Sequence, residues 1–125
     1  MSETAIHAYV IDDEASIRVA YARLLRSAAM QPHTFASVED FMSSDFTDDN
    51  ACVVCDVQFP GKGGLELPAL LQRAGHRLPI IFVTGQDNEE SRNVAKRFCA
   101  AGFYRKPVDG QDLIEAIACA VQNRR

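Results

Sequence analysis

No stretch of this chain approaches the roughly 20 apolar residues that a helix needs to span a bilayer, and its apolar runs are of strand length. The N-terminus lacks the basic, apolar and small-residue succession of a secretory leader, so a cytoplasmic protein is expected. Positive charge is in deficit: 13 Lys and Arg stand against 17 Asp and Glu, a formal net charge of -4. That argues against a broad basic face, and so against direct nucleic-acid binding by this domain. Arg124-Arg125 is too short to alter the balance. Zinc spacing is also missing. Cys52 and Cys55 form one C-x-x-C string with no second pair, and on a strand an offset of three puts them on opposite faces. The four cysteines are expected as free thiols, with Cys52, Cys55 and Cys119 in apolar segments and Cys99 at the end of a helical stretch. There is no internal repeat, linker or low-complexity segment.

What is present is enough for one packed core. The 125 residues are 47% hydrophobic, which excludes disorder and predicts a single domain over residues 1–125. His7 to Ile11 reads as a buried strand. Ala15 to Met30 repeats Ile17, Ala20, Tyr21, Leu24, Leu25 and Ala28 at helical spacing. Pro32 opens a short strand to Phe35, and Ser37 with Asp40 caps a short helix through Phe41. Ala51 to Val57 is apolar on both faces except for Asp56, as in a central strand of a parallel sheet. Leu65 to Ala74 reads as helix, Ile80 to Val83 as strand, Asn88 to Ala101 as a polar helix and Phe103 to Arg105 as a short strand. Asp109, with Asp112 three residues on, caps a last helix whose inner stripe is Leu113, Ile114, Ile117 and Val121. Strand and helix alternate five times, which predicts a doubly wound α/β fold with a parallel sheet covered on both faces.

The polar residues fall where such folds place their ligand sites, beyond the carboxyl ends of the strands. Asp12-Asp13, Asp56, Thr84-Gly85 and Lys106-Pro107 each close an apolar run. One carboxylate can act as nucleophile toward phosphorus. Neighbouring carboxylates repel each other, and a hard cation relieves the repulsion. A hydroxyl and an ammonium complete a cradle for phosphoryl oxygens. Taken singly, each group has a plainer reading: Asp56 as a turn residue, Asp12 and Asp13 as caps of the first helix, Lys106 as a surface lysine, Phe103 as a core ring.

Together the groups carry a resemblance. The string Asp56-Val57-Gln58-Phe59-Pro60-Gly61-Lys62-Gly63-Gly64-Leu65-Glu66-Leu67, with Asp12-Asp13, Thr84 and Lys106-Pro107, resembles the receiver domain of two-component response regulators, most of all those of the FixJ type. The resemblance covers nearly the whole chain. It implies a flavodoxin-like (βα)5 fold with strand order 2-1-3-4-5. It implies phosphorylation of Asp56 by a sensor histidine kinase, with Mg2+ held by Asp12, Asp13, Asp56 and the backbone carbonyl of Gln58. Thr84 and Lys106 are then the phosphoryl ligands, Lys106-Pro107 a cis peptide, and Thr84 with Phe103 the switch pair. A homodimer through the face of the fourth helix, fifth strand and fifth helix is implied for the phosphorylated state. An ungapped match places Cys99 where the family has glycine, so an extended fourth helix or a reshaped exit is expected there.

Two rival readings stand beside this one. The first is a phosphorylation-independent interaction module on the same fold. The second is a phosphohydrolase working through an aspartyl phosphate, which would need an acid two residues beyond the nucleophile; that position holds Gln58.

Overall fold

The structure, a computed structural model, describes residues 5–57, 63–86 and 88–123. Five strands pair in parallel: β1 (His7–Ile11), β2 (Gln31–Phe35), β3 (Ala51–Asp56), β4 (Ile80–Thr84) and β5 (Gly102–Arg105). Their order is β2-β1-β3-β4-β5, the flavodoxin-like order. Five helices connect and follow them: α1 (Ala15–Ser27), α2 (Val38–Met42), α3 (Leu67–Arg73), α4 (Glu89–Arg97) and α5 (Gly110–Gln122). A 3₁₀ turn, Gly64–Glu66, leads into α3.

Side-chain alternation on the three central strands builds two cores. Tyr9, Ile11, Val53, Cys55 and Phe82 face α2, α3 and α4 through Phe41, Leu71 and Ala95. Ala8, Val10, Cys52, Val54, Ile81 and Val83 face α1 and α5 through Leu25, Leu113 and Ile117. Cys52 and Cys55 thus lie on opposite faces, as their spacing requires. Each fully buried leucine, isoleucine or phenylalanine contributes about 1.5–3 kcal/mol, so both helical layers are anchored to the sheet. The edge strand β2 tolerates Pro32 because its outer side needs no ladder donor.

The N-caps work as their residue types predict. Ser37 accepts from Asp40 N at 3.0 Å, Asn88 from Ser91 N at 2.9 Å and Asp109 from Asp112 N at 3.1 Å.

The C-termini revise the expected lengths. Helix α1 ends at Ser27 rather than Met30, because Ala29 turns to φ 63 and Met30 N returns to Leu25 O at 3.0 Å. Helix α4 is not extended: it stops at Arg97, Cys99 takes φ 55, and Ala100 N returns to Ala95 O at 2.8 Å. Helix α3 ends the same way through Gly75 at φ 82, with His76 N on Leu71 O at 2.9 Å. All three are Schellman loops. Two of them carry alanine or cysteine where glycine is preferred, so no glycine marked the stop.

Cys119 is a further correction. It is exposed on α5, as is Cys99 beyond α4. The apolar composition around Cys119 concealed its place on the outer side of the helix. No helix among the described residues is long and apolar enough to cross a membrane.

Candidate functional site

Parallel pairing delivers the strand ends to one rim of the sheet. Ile11 registers with Cys55 and Asp56 with Val83. Asp12 and Asp56 therefore emerge side by side, and Thr84 follows on the next strand. Asp12 is 1% exposed and Asp56 5%, while Thr84 is fully buried. Asp13 is exposed.

Lys106 reaches across from the far edge. Its Nζ donates to Asp12 Oδ2 at 3.0 Å and to Asp56 Oδ2 at 3.2 Å. Its own backbone N donates to Thr84 O at 2.7 Å, which fixes where the side chain starts. The Lys106–Pro107 peptide is cis. Burial alone would lower the lysine pKa. The contacts with Asp12 and Asp56 outweigh burial and raise it above the usual 10.5, so the ammonium stays charged at neutral pH.

Carboxylate oxygens of Asp12, Asp13 and Asp56 lie within 4.8 Å of one another. Three carboxylates against one ammonium leave excess negative charge. An all-oxygen donor set of this kind fits a hard divalent cation such as Mg2+. Asp12 is held by more than the lysine: Glu14 N donates to its Oδ1 at 2.9 Å, and Arg18 Nη1 donates to its backbone O at 2.8 Å. Both bonds hold the loop against the first turn of α1.

The hydroxyl of Thr84 is engaged elsewhere. It donates to Gln86 O at 2.7 Å and accepts from Gln86 N at 3.0 Å. A threonine has one O–H to give, so here its proton is directed into its own loop and not at the acids. Phe103 registers with Phe82 and packs against the core facing α2, α3 and α4, whereas Tyr104 packs against the α1 and α5 core. Gln58 lies outside the described residues.

Sequence reasoning brought Asp12, Asp13, Asp56 and Lys106 to one place, and the structure does the same. It missed three neighbours. Arg18 lies six residues beyond Asp12, on the first turn of α1. The phenol of Tyr21 feels the cluster: burial raises its pKa, Lys106 opposes, and Asp12 and Asp56 add to the rise. Gly64 approaches so closely that a Cβ there would lie inside the radius of Asp56 O and 2.9 Å from Cys55 Sγ. Among Gly61, Gly63 and Gly64, composition alone does not single out this one. Cys55 itself sits under the site, with its Sγ 3.4 Å from Asp56 O.

An open groove of about 1110 Å³ lies at the other end of the sheet, between the C-terminal ends of α3, α4 and α5. None of the site residues lines it.

With five parallel strands in this order and a carboxylate-lysine cluster at their carboxyl ends, the chain has the architecture of a signalling receiver. The response regulator receiver domain pattern matches residues 8–118, and the chain belongs to that family. It is 36% identical to the transcriptional regulatory protein TdiR of Thauera aromatica over 117 residues, 94% of this chain and 52% of TdiR. It is 32% identical to the transcriptional regulatory protein FixJ of Azorhizobium caulinodans, over 90% of this chain and 54% of FixJ. The crystal structure of FixJ-N superposes with a TM-score of 0.85 at 26% identity, covering 97% of both chains. The chain thus spans about half the length of the curated relatives it matches. It is a receiver domain of the two-component, CheY-like class.

Proposed function

We propose that the domain, in the cytoplasm, accepts a phosphoryl group on Asp56 from the phosphohistidine of a sensor histidine kinase, with Mg2+ bound, and so switches a protein-interaction surface. The observation that carries this reading is Lys106 bridging Asp12 and Asp56 across 3.0 and 3.2 Å. An ammonium held there stands ready for the oxygens of an incoming phosphoryl group, and it has three donors to share.

The transfer is a displacement at phosphorus. A carboxylate oxygen of Asp56 forms the new P–O bond, and the P–N bond to the kinase imidazole breaks. Asp12, Asp13 and Asp56 would hold the cation together with the carbonyl of Gln58. Mg2+, when bound, offsets the repulsion between carboxylate and phosphoryl oxygens. Lys106 keeps Asp12 and transfers its second bond to a phosphoryl oxygen. Thr84 must give up Gln86 O to donate to another.

That rearrangement is the proposed switch. Phe103 lies one strand further out and packs against the same core as Ala95 of α4. A shift of Thr84 together with Phe103 would alter the face of α4, β5 and α5, where a second phosphorylated copy would dock. Coupling energies of this kind are typically about 1–3 kcal/mol, and a phosphoryl group adds enough charge to supply that. TdiR and FixJ are named as transcriptional regulatory proteins, which supports a transcriptional output reached through parts of a longer regulator.

Acetyl phosphate or phosphoramidate with Mg2+ should add one phosphoryl mass to the wild type and none to Asp56→Asn in an intact-mass measurement. Equal labelling of both proteins would reject the site. No labelling of either would favour the phosphorylation-independent module. Asp13→Ala should weaken Mg2+ binding by roughly tenfold or more in a fluorescence or calorimetric titration, and an unchanged affinity would remove Asp13 from the ligand set.

A further inference from the structure

A second group of metal-ligating side chains lies at the opposite end of β1. Tyr9 registers with His33, so His7 and His33 are diagonal neighbours on one face of two adjacent strands. His7 Nδ1 and His33 Nε2 stand 3.1 Å apart. The two rings stack with centroids 5.3 Å apart, and the Tyr9 ring lies 5.1 Å from that of His33. This packing limits the rotamers open to both histidines. Both are only partly buried, so solvent ions reach them.

We propose that His7 and His33 form a binding site for a borderline divalent transition metal, of the class of Cu2+, Ni2+ or Zn2+. Two nitrogens bound cis to one such ion at about 2.0–2.1 Å stand about 2.9–3.4 Å apart. The observed 3.1 Å lies inside that window. One nitrogen donates to the other across that distance, so metal binding requires the tautomer that moves this proton to the far nitrogen of its ring and leaves both facing nitrogens with lone pairs. Burial, and then the facing His7, hold His33 below the usual imidazole value, so an unprotonated nitrogen is on offer at neutral pH. Water completes the coordination.

The ligand chemistry separates this site from the acidic cluster. Imidazole nitrogen suits copper, nickel and zinc, whereas carboxylate oxygen suits magnesium. The length of β1, at about 3.3 Å per residue, keeps the two ions apart on one strand.

The test is a Cu2+ titration of untagged protein carrying Cys99→Ser and Cys119→Ser, which removes the exposed thiols that Cu2+ would oxidise. Saturating Mg2+ occupies the carboxylates. Calorimetry should give one equivalent of Cu2+, and the electron paramagnetic resonance spectrum should show coupling to two nitrogens. His7→Gln and His33→Gln should each weaken binding by roughly tenfold or more. An affinity unchanged from that of the parent protein in both variants would overturn the proposal. So would an oxygen-only spectrum, which needs no substitution at either histidine and therefore no assumption about how the variants fold.

Discussion

At the carboxyl end of the sheet the chain presents three carboxylates and one ammonium; at the amino end it presents paired imidazoles and helix ends closed on themselves. Asp12 and Asp56 are almost wholly buried, and Lys106 is the cation they share. The Schellman loops of α1, α3 and α4 lie at the other end, each returning backbone donors to the last turn. One end is left with excess negative charge, and the other has its helix-terminal carbonyls satisfied. Parallel pairing makes this division possible, because all five strands point the same way. The charged groups gather at one rim, and the closed helix ends gather at the other.

Four substitutions test this division. The largest effect is expected from Gly64→Ala, which drives a methyl into the carbonyl of Asp56. It should cost about 3 kcal/mol or more in urea unfolding. A loss below about 1 kcal/mol would mean that the loop yields and that the carboxyl rim is softer than the contact implies.

Lys106→Met comes next. It leaves Asp12 and Asp56 nearly buried without their shared cation, at about 2 kcal/mol in metal-free buffer, and saturating Mg2+ should restore most of the loss. The wild-type lysine also sets a pH limit. Its folded pKa is raised above 10.5, so its contribution is complete below that value and is lost only as pH climbs through the higher folded value. Lys106→Met should flatten stability over that alkaline range, and a parallel decline in both proteins would assign the effect to other groups.

The smallest effects belong to the amino end. Cys99→Gly should stabilise by about 1 kcal/mol, since φ 55 is strained for a residue with a Cβ. Gly75→Ala, at φ 82, should destabilise by a similar amount. Thermal unfolding of the two variants reads both signs in one experiment.

Much of this was legible in the residues themselves. Two-sided apolarity identified β3 as central, and the helical stripes located α1 and α5. The acids and the lysine stood out because each ends an apolar run. What escaped has a common cause. Helix ends at Ala29 and Cys99 are set by returning backbone bonds, and neither residue type announces a left-handed turn. The local bond of the Thr84 hydroxyl to the backbone of Gln86 also left no mark in the sequence. No sequence motif joins the histidines. His7 and His33 are 26 positions apart in the chain and meet only through strand register, while His76 pairs with Asp48 at 2.7 Å.

The thiol of Cys55 has a consequence for chemical selectivity. A thiolate beside an acyl phosphate is a hazard, because sulfur attacking the activated carbonyl would expel phosphate and leave a thioester. Cys55 adjoins Asp56 in the chain, and its sulfur lies against the Asp56 main-chain oxygen. Complete burial, followed by the charges of Asp56 and Asp12, pushes its pKa far above the usual thiol value. The sulfur therefore remains a protonated, weakly nucleophilic thiol across the physiological range. A domain phosphorylated on Asp56 would therefore carry this adjacent sulfur as a neutral thiol, a poor competitor for the acyl group.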